Sequence, residues 1–346
     1  MSIPSRKESH VQHALNGDVS FRGKTNGLDD YEFEYNALPE INLADITTRT
    51  EFLGRPLKLP LMVTGMTGGY PDAVRINTEI AQACAECGIA MGVGSMRAAL
   101  EDPSIAESFS CVRPVATAVP LVANNGAVQA VRWHGAGVVD TMIRRAVDMI
   151  DATALAVHLN PLQELAQPEG EPEFRGVLST IDWMVRHSPV PIVVKEVGAG
   201  LSRRVVERLC GVGVEHIDVA GAGGTSWSGI EILRHENPTA FEHLWDVGIP
   251  TADCIAQNRD LVSTLIASGG ISSGTHVAVS IGLGAKIVGT ARPVLQAHNA
   301  GGIDGILQLV GSWETTLRQW MFLSGSSSVT ELRSAPLRRI PYHGRP

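Results

Sequence analysis

Several features that would place this 346-residue chain in other protein classes are scarce or absent. Aromatic residues make up 5% of the sequence, and the formal net charge is −8. Proteins that bind single-stranded nucleic acid stack bases on aromatic rings, and a negative protein repels a polyanion, so we expect no nucleic-acid partner. The chain also lacks an apolar run of about 18 residues, the length that spans a membrane, and a signal-peptide-like run near its start. The composition therefore predicts a cytoplasmic protein without a membrane segment.

Motifs for disulfide, redox or metal chemistry are weak. The cysteines are odd in number and scattered, unlike a disulfide framework. They are Cys84, Cys87, Cys111, Cys210 and Cys254. Cys84 and Cys87 lie in a segment with helical periodicity that stops at Gly88, so we interpret both as core residues. His10 and His13 have metal-like spacing but no partner ligands, and we expect no metal there.

What the sequence does contain is an alternation of short apolar runs and helical segments. Its composition, 44% hydrophobic and 18% charged with 36 glycines, is typical of an α/β globular protein. Apolar runs that predict strands span residues 59–66, 89–95, 120–126, 153–160, 191–198, 216–223, 265–270 and 285–290. Segments with helical periodicity lie between these runs, and examples span residues 75–87, 142–151, 178–187, 203–211 and 275–283. Eight strand–helix units predict an α/β fold of the TIM-barrel type, a (β/α)8 barrel.

The barrel is predicted over residues 57–346, and residues 1–56 are predicted to form an N-terminal arm that caps its mouth. Residues 226–253 are the longest interruption and are expected near the mouth. The alternative fold is a doubly wound sheet with a Rossmann-type nucleotide site. Gly92 and Gly94 lack the third glycine of that fingerprint, so the barrel is preferred.

The fourth predicted strand ends in an unusual group of polar residues. With a period of two, His158 and Asn160 share a face with two alanines, while bulky apolar residues occupy the other face. Functional residues of such barrels come from the C-terminal ends of strands and the loops that follow. We therefore place His158 and Asn160 inside the barrel at its rim, with Gln163 and Glu164 in the next loop.

Lys195 and two late glycine-rich segments indicate an anionic ligand. Lys195 lies near the end of the fifth strand, and lysine is rarely buried without a partner, so we expect it to face an anion or, alternatively, a salt-bridge partner on a neighbouring strand. Residues 267–274 and 289–293 follow the seventh and eighth strands, where barrels commonly bind phosphate on backbone N–H groups and the start of a short helix. A cofactor that carries a phosphate is predicted.

Short motifs along nearly the whole chain point to one family. They are Arg6-Lys-x-x-His10, Ala37-Leu-Pro-Glu40, Met66-Thr-Gly-Gly69, Gly92-Val-Gly-Ser95 with Arg97, Ala123-Asn124 with Gly126-Ala127, His158-Leu-Asn-x-x-Gln-Glu164, Lys195-Glu-Val-Gly198, Gly223-Gly-Thr-Ser226 and Ser268-Gly-Gly270. Together they resemble the type 2 isopentenyl-diphosphate Δ-isomerases, which are flavin enzymes of isoprenoid synthesis. The polar block at 158–164, combined with the Arg-Lys-x-x-His motif of the arm, is the most specific part of the resemblance.

The resemblance implies an FMN-containing barrel, assembled as a homotetramer or homo-octamer, that interconverts isopentenyl and dimethylallyl diphosphate. It implies reduced FMN, NADPH as reductant and Mg²⁺. Flavin contacts are then expected from Thr67, Ser95, Asn124, Lys195, Thr225, Gly269, Gly270, Ala291 and Arg292. Substrate contacts are expected from Arg6, Lys7, Arg97, His158, Asn160 and Gln163. Gln163, His158 and Lys195 are the expected catalytic residues, and Glu164 is the expected Mg²⁺ ligand; whether FMN or Gln163 carries the proton stays open.

The sequence departs from the family pattern at two positions. Met96 stands where glutamine is usual, and Ser272 stands where an arginine often follows Gly-Gly-Ile. The second change removes a cation from the expected FMN phosphate site. We hypothesise that Arg292 compensates for it.

Two other FMN-barrel or related functions remain as alternatives. A 2-hydroxy-acid oxidase would need a histidine base among the late histidines, which are His235, His243, His276 and His298. A nucleotide dehydrogenase would need a nucleophilic cysteine in a mouth loop. The sequence places neither there. A barrel that only binds flavin or a phosphate ligand is the non-enzymatic alternative.

Overall fold

The computed structural model describes residues 3–340, apart from the side chains of residues 3–6, 8, 9 and 16. The chain begins with helix α1 (Ile3–Asn16). Strand β1 (Tyr31–Phe33) follows, and then an antiparallel hairpin of β2 (Thr50–Phe52) and β3 (Arg55–Leu57). The predicted substrate residue Arg6 belongs to α1, but its side chain lies outside the described part of the chain.

Eight parallel strands close into a barrel in chain order, with the last strand paired to the first, which confirms the predicted TIM-barrel fold. The strands are β4 (Leu61–Val63), β5 (Ala90–Gly92), β6 (Leu121–Gly126), β7 (Ala154–His158), β8 (Ile192–Lys195), β9 (His216–Asp218), β10 (Thr264–Ala267) and β11 (Ile287–Thr290). Most predicted spans run past the C-terminal end of the observed strand, because the residues there leave the ladder and form the loops of the site.

Helices surround the barrel; most lie between consecutive barrel strands in the chain, and the last two follow β11. They are α2 (Ala73–Cys87), α3 (Arg97–Glu101), α4 (Glu107–Ser110), α5 (Ala127–Gly135), α6 (Val139–Ile150), α7 (Pro161–Ala166), α8 (Val177–His187), α9 (Arg203–Cys210), α10 (Trp227–Ile232), α11 (Thr251–Asn258), α12 (Gly274–Leu283), α13 (Arg292–Leu323) and α14 (Val329–Leu332). Short 3₁₀ helices span Leu28–Asp30, Leu43–Asp45, Pro103–Ile105 and Pro238–Leu244. Helix α13 is interrupted at Gly301 and Gly302, where the backbone is not helical. Strand β12 (Leu337–Arg339) pairs antiparallel with β1.

The two faces of β7 show how the barrel is packed. Leu155 and Val157 belong to the outer core under the helices, whereas Ala154 and Ala156 belong to a separate cluster inside the barrel. The period-two pattern predicted for this strand is therefore confirmed. Asn160 lies beyond the end of β7, at the start of α7, and not in the strand itself.

The segment before the barrel reaches both ends of it. Helix α1 lies over the mouth, but Phe52 of the β2–β3 hairpin is fully buried inside the barrel with Ala90 and Ala154, which begin strands β5 and β7. The hairpin thus closes the end of the barrel opposite the mouth. The predicted arm over residues 1–56 was expected to cover only the mouth. Among the described residues no helix has both the length and the apolarity needed to cross a lipid bilayer.

Candidate active site

A cavity of about 580 Å³ lies at the C-terminal ends of the barrel strands, under helix α1. Lys7, His10, Val11 and Ala14 line it from above, and their spacing of three or four residues places them on one face of α1. All predicted site residues with described side chains line this cavity. They are Lys7, Thr67, Ser95, Arg97, Asn124, His158, Asn160, Gln163, Glu164, Lys195, Thr225, Gly269, Gly270, Ala291 and Arg292.

His158 is held in one tautomer by Asn124 on the neighbouring strand. The Asn124 amide donates from Nδ2 to the carbonyl O of Val93 at 3.1 Å, so its Oδ1 faces His158 Nδ1 at 2.9 Å as an acceptor. Nδ1 therefore carries the proton and Nε2 carries the lone pair. Burial lowers the pKa of His158 from 6.5 to about 3, and the charges of Lys195 and Lys7 act in the same direction. At neutral pH the ring is an uncharged polar group of the cavity wall.

Replacing His158 by asparagine is expected to make folding less sensitive to acid. An unfolded histidine takes up a proton near pH 6.5, whereas the folded protein resists protonation of His158 down to about pH 3. The unfolded state thus binds more protons in this interval, so the free energy of unfolding decreases as the pH falls. Asparagine keeps an N–H for Asn124 but binds no proton. Urea titrations between about pH 6.5 and 4.5 give the slope of the unfolding free energy against pH. This slope should decrease by the amount that corresponds to up to about one bound proton. An unchanged slope would contradict the assigned pKa.

The residues that follow β7 are fixed by a short helix. Pro161 starts α7, a position where proline is favoured because the N–H of the first helical residue would have no acceptor within the helix. The first turn of α7 carries Gln163 and Glu164 to the cavity. Asn160 Nδ2 donates to Gln163 Oε1 at 3.2 Å and to Glu164 Oε1 at 3.0 Å. The other oxygen of Glu164 accepts the backbone N–H of Glu171 at 2.8 Å. Both carboxylate oxygens of Glu164 thus have defined positions, and each retains a lone pair.

Glu231 is a site residue that the sequence patterns do not reveal. Its side chain is fully buried, accepts a hydrogen bond from Gln163 Nε2 at 2.9 Å and contacts His10 Nε2 at 3.0 Å. Arg234 pairs with its other oxygen. Burial alone would raise the pKa of Glu231, but the hydrogen bonds from His10 and Gln163 and the charge of Arg234 outweigh it and lower the pKa. A buried carboxylate therefore connects helix α1 to Gln163.

An acidic loop after α7 lies against the cations of the mouth. The Glu171 carboxylate lies 2.7 Å from Arg132 Nη1 and 3.5 Å from Arg97 Nη1. A Cβ at Gly170 would overlap the backbone carbonyl of Glu164, so a side chain at this position is incompatible with the loop. The loop thus brings a carboxylate to Arg97 and a backbone N–H to Glu164.

Asp218, next to Lys195 on the neighbouring strand, is another carboxylate that was not predicted from the sequence. Asp218 is adjacent to Lys195 in the strand register and is 2% exposed. It accepts hydrogen bonds from Ser268 Oγ at 2.6 Å and from the Ala220 N–H at 3.2 Å. Burial raises the pKa of Asp218, while the charge of Lys195 and the Ser268 hydrogen bond act against this. Lys195 itself donates to the carbonyl of Glu196 at 2.5 Å. Asp218 could have been identified from the sequence, because a charged aspartate within an apolar strand segment is unusual.

Backbone N–H groups form an anion cradle at the ends of β10 and β11. Within the described chain, the N–H groups of Gly269, Gly270 and Ala291 donate to no protein acceptor. Gly269 and Gly270 have φ values of 104° and 72°, and a Cβ on either would contact backbone atoms of residues 221–224. Helix α13 starts directly after Ala291, and a helix start favours anions. The cradle suits a phosphate group.

Other candidate chemistries have no matching side chains in the cavity. No group of three or more His, Cys, Asp or Glu residues in the described chain could hold a metal ion, so a cation at Glu164 would need ligands from its substrate and water. None of the five cysteines lines the cavity, and burial raises the pKa of Cys87 to about 11. The late histidines at 235, 243, 276 and 298 do not line it either. The cavity thus contains neither the cysteine nor the late histidine that the two alternative enzyme classes would need.

The sequence is similar to a protein family and to curated proteins. A family model described as FMN-dependent dehydrogenase matches residues 1–160 and 170–339. Curated proteins named isopentenyl-diphosphate delta-isomerase match over most of the chain. The one from Chlorobaculum parvum is 42% identical, with 97% of each chain covered. The one from Metallosphaera sedula is 44% identical, with 97% of this chain and 93% of its own covered.

Solved structures show the same fold at low sequence identity. A mandelate oxidase mutant has a TM-score of 0.65 and 18% identity, with 97% of each chain covered. A flavocytochrome b2 mutant has a TM-score of 0.69 and 17% identity, with 96% of this chain and 82% of its own covered. At such identities the likeness concerns the fold alone.

Proposed function

The chain belongs to the isopentenyl-diphosphate delta-isomerase family, and from this premise we propose that it interconverts isopentenyl and dimethylallyl diphosphate by an allylic 1,3-proton shift, with reduced FMN and Mg²⁺ bound in the cavity. The observation that carries the proposal is the composition of one cavity. It joins a phosphate cradle, the half-buried lysine Lys195 and the polar group of Asn160, Gln163 and Glu164.

The cradle side of the cavity fits FMN. Gly269, Gly270 and Ala291 would hold its phosphate through backbone N–H groups, while Thr67, Ser95, Asn124 and Thr225 would line the ring together with Lys195. Bound reduced FMN would supply a group that exchanges a proton with the substrate. The positive charge of Lys195 would favour the anionic form of the reduced ring.

The opposite side fits a diphosphate with Mg²⁺. Lys7 and Arg97 supply cationic donors, and Arg6 of the same arm is proposed to join them. Glu164 is proposed as the one protein carboxylate on the metal, since Mg²⁺ commonly keeps waters and takes its other ligands from phosphate oxygens. Arg97, now near Glu171, would turn to the diphosphate when it binds.

The alkene would lie between these two sides. Gln163 lines the cavity and is oriented by Asn160 and Glu231, and its amide is proposed to lie next to the hydrocarbon as a polar group. His158 is neutral and adds a polar wall without a charge. Protonation of the double bond develops a tertiary cation, so the closed position of α1 would protect it from water.

The reductant and assembly state complete the proposal. NADPH is proposed to reduce the flavin, and the chain is proposed to assemble as a homotetramer or homo-octamer. Tyr35 and Leu38 support assembly because they are 70% and 74% exposed in the single chain and offer apolar surface for another copy to cover.

The test is anaerobic incubation of the purified protein with FMN, NADPH, Mg²⁺ and isopentenyl diphosphate, followed by NMR in D₂O. We expect dimethylallyl diphosphate with deuterium in a methyl group, formed by protonation of the terminal methylene, only when the flavin is reduced and Mg²⁺ is present. A protein that binds FMN but forms no product under these conditions would refute the proposed reaction.

A further inference from the structure

We propose that Arg292 is a positioning residue that fastens the C-terminal end of helix α1 and so holds the substrate-binding face of α1 over the cavity. This differs from the phosphate-holding role that the sequence suggests for Arg292. It rests on the proposed function only in that α1 carries Lys7 and Arg6, the residues proposed to bind the diphosphate. The attachment of α1 itself can be measured without turnover.

The guanidinium of Arg292 directs its donors at the arm. Nε donates to the carbonyl O of Ala14 at 2.8 Å, Nη2 to the carbonyl O of Gly17 at 3.0 Å and Nη1 to Ser20 Oγ at 3.3 Å. The last carbonyls of a helix have no partner within the helix, and Ala14 lies in the last turn of α1. The fixed fork of an arginine satisfies several such acceptors at once. Arg292 thus caps the end of α1 from the start of α13.

Helix α1 depends on such external attachments. It has 14 residues, and an isolated helix of this length is marginally stable in water. Lys7 Nζ donates to the carbonyl O of Ser95 at 2.7 Å near its beginning, and His10 contacts Glu231 at 3.0 Å in its middle. Arg292 is the attachment at its end. Without it, the end of α1 and the residues that follow would lose three hydrogen bonds to the start of α13.

The phosphate cradle next to Arg292 is formed by other groups. Its N–H donors belong to Gly269, Gly270 and Ala291, and they come from the backbone rather than from the Arg292 side chain. Ser272, at the position where the family often has an arginine, lies 3.3 Å from His276 Nδ1 through its hydroxyl. The geometry therefore separates the two roles, with backbone groups for the phosphate and the Arg292 fork for α1.

The proposal is tested with Arg292→Gln and Arg292→Lys in the full chain loaded with FMN. Lysine keeps the charge that a phosphate would need but cannot make the three-way fork. Both variants should increase amide hydrogen exchange in residues 10–17 at least about tenfold, as measured by mass spectrometry. Both should raise the KM for isopentenyl diphosphate about tenfold, with kcat and the FMN Kd changed less than about threefold.

Arg318→Gln is the matched control. Arg318 is also in α13, is also half-buried and also donates to two backbone carbonyls, those of Ile46 and Leu43 at 2.8 and 2.6 Å, but it does not line the cavity. Its loss should leave exchange in α1 and the KM unchanged. If α1 becomes mobile in Arg318→Gln as well, a general loss of stability explains the result and the proposal fails.

Other outcomes separate this inference from its premise. An FMN Kd raised about tenfold in Arg292→Gln and restored in Arg292→Lys, with α1 exchange unchanged, would assign Arg292 to the phosphate and overturn the proposal. His10→Ala, which loosens α1 while leaving Arg292 in place, should reproduce the exchange result. A wild-type protein that forms no product, yet protects α1 through Arg292, would refute the isomerase reaction and leave the attachment established.

Discussion

Replacing Glu164 by glutamine is expected to lower kcat/KM for isopentenyl diphosphate by about a thousandfold. The substitution removes the only carboxylate charge proposed for the metal. It also disturbs the local hydrogen bonds, because the two oxygens of Glu164 accept from Asn160 and from the Glu171 N–H, and one of these donors would then face an amide NH₂. FMN affinity should remain unchanged, since the flavin cradle lies elsewhere in the cavity. Initial rates measured over a Mg²⁺ titration, together with an FMN binding curve, check both parts.

Glu169→Gln provides the control for Glu164→Gln. Glu169 lines the same cavity from the same acidic loop, but both of its carboxylate oxygens accept from Arg234 Nη2, at 2.9 and 3.0 Å, and its side chain is 39% exposed. Arg234 keeps Glu231 as its buried partner when Glu169 is replaced, so the rate should change by less than about tenfold. Full activity in Glu164→Gln, or an equal loss in both variants, would rule out Glu164 as the metal ligand.

Replacing Lys195 by alanine is expected to raise the pKa of the bound reduced flavin by up to about three units and to lower kcat by about a hundredfold. A unit charge about 4 Å away at an effective dielectric of about 20 contributes about 4 kcal/mol, which sets this upper limit. The loss also removes the charge of Lys195 that lowers the pKa of Asp218, so the pKa of this buried carboxyl should rise further. Absorbance spectra of the reduced protein over a pH series give the flavin pKa directly.

Lys24→Ala is the comparison for Lys195→Ala. Lys24 also donates to a backbone carbonyl, that of Gly248 at 2.6 Å, but it does not line the cavity. Its removal should leave the flavin spectra unchanged. An unchanged flavin titration in Lys195→Ala would mean that the lysine charge does not act on the ring.

The sequence predicted what depends on local pattern. The eight strands appear at the predicted places because apolar runs of strand length alternate with amphipathic helices, and this pattern needs no knowledge of distant contacts. His158, Gln163 and Glu164 were predicted because His158 ends a strand and the other two follow it, in a barrel of known polarity. Membership of the isomerase family confirms the resemblance carried by the short motifs.

The residues that were missed depend on contacts between distant segments. Glu231 lies in a stretch that looked like an excursion, and only the folded chain brings it to Gln163 and to His10, 221 residues before it in sequence. The two ends of the 1–56 segment also separate in space, because Phe52 is apolar enough to enter the barrel while α1 lies over the mouth. No local pattern reports which end of a barrel a preceding segment will meet.

The burial of Phe52 inside the barrel has a consequence for the order in which ligands associate. With that end filled, both FMN and the diphosphate must enter from the side that α1 covers. The cradle lies next to Arg292, which holds the end of α1, so we expect the larger ligand to arrive while α1 is displaced. We therefore expect a compulsory binding sequence, with FMN first and substrate second. We expect the smaller ligand to need only a partial displacement of α1, so that substrate and product exchange over many turnovers while the flavin stays bound.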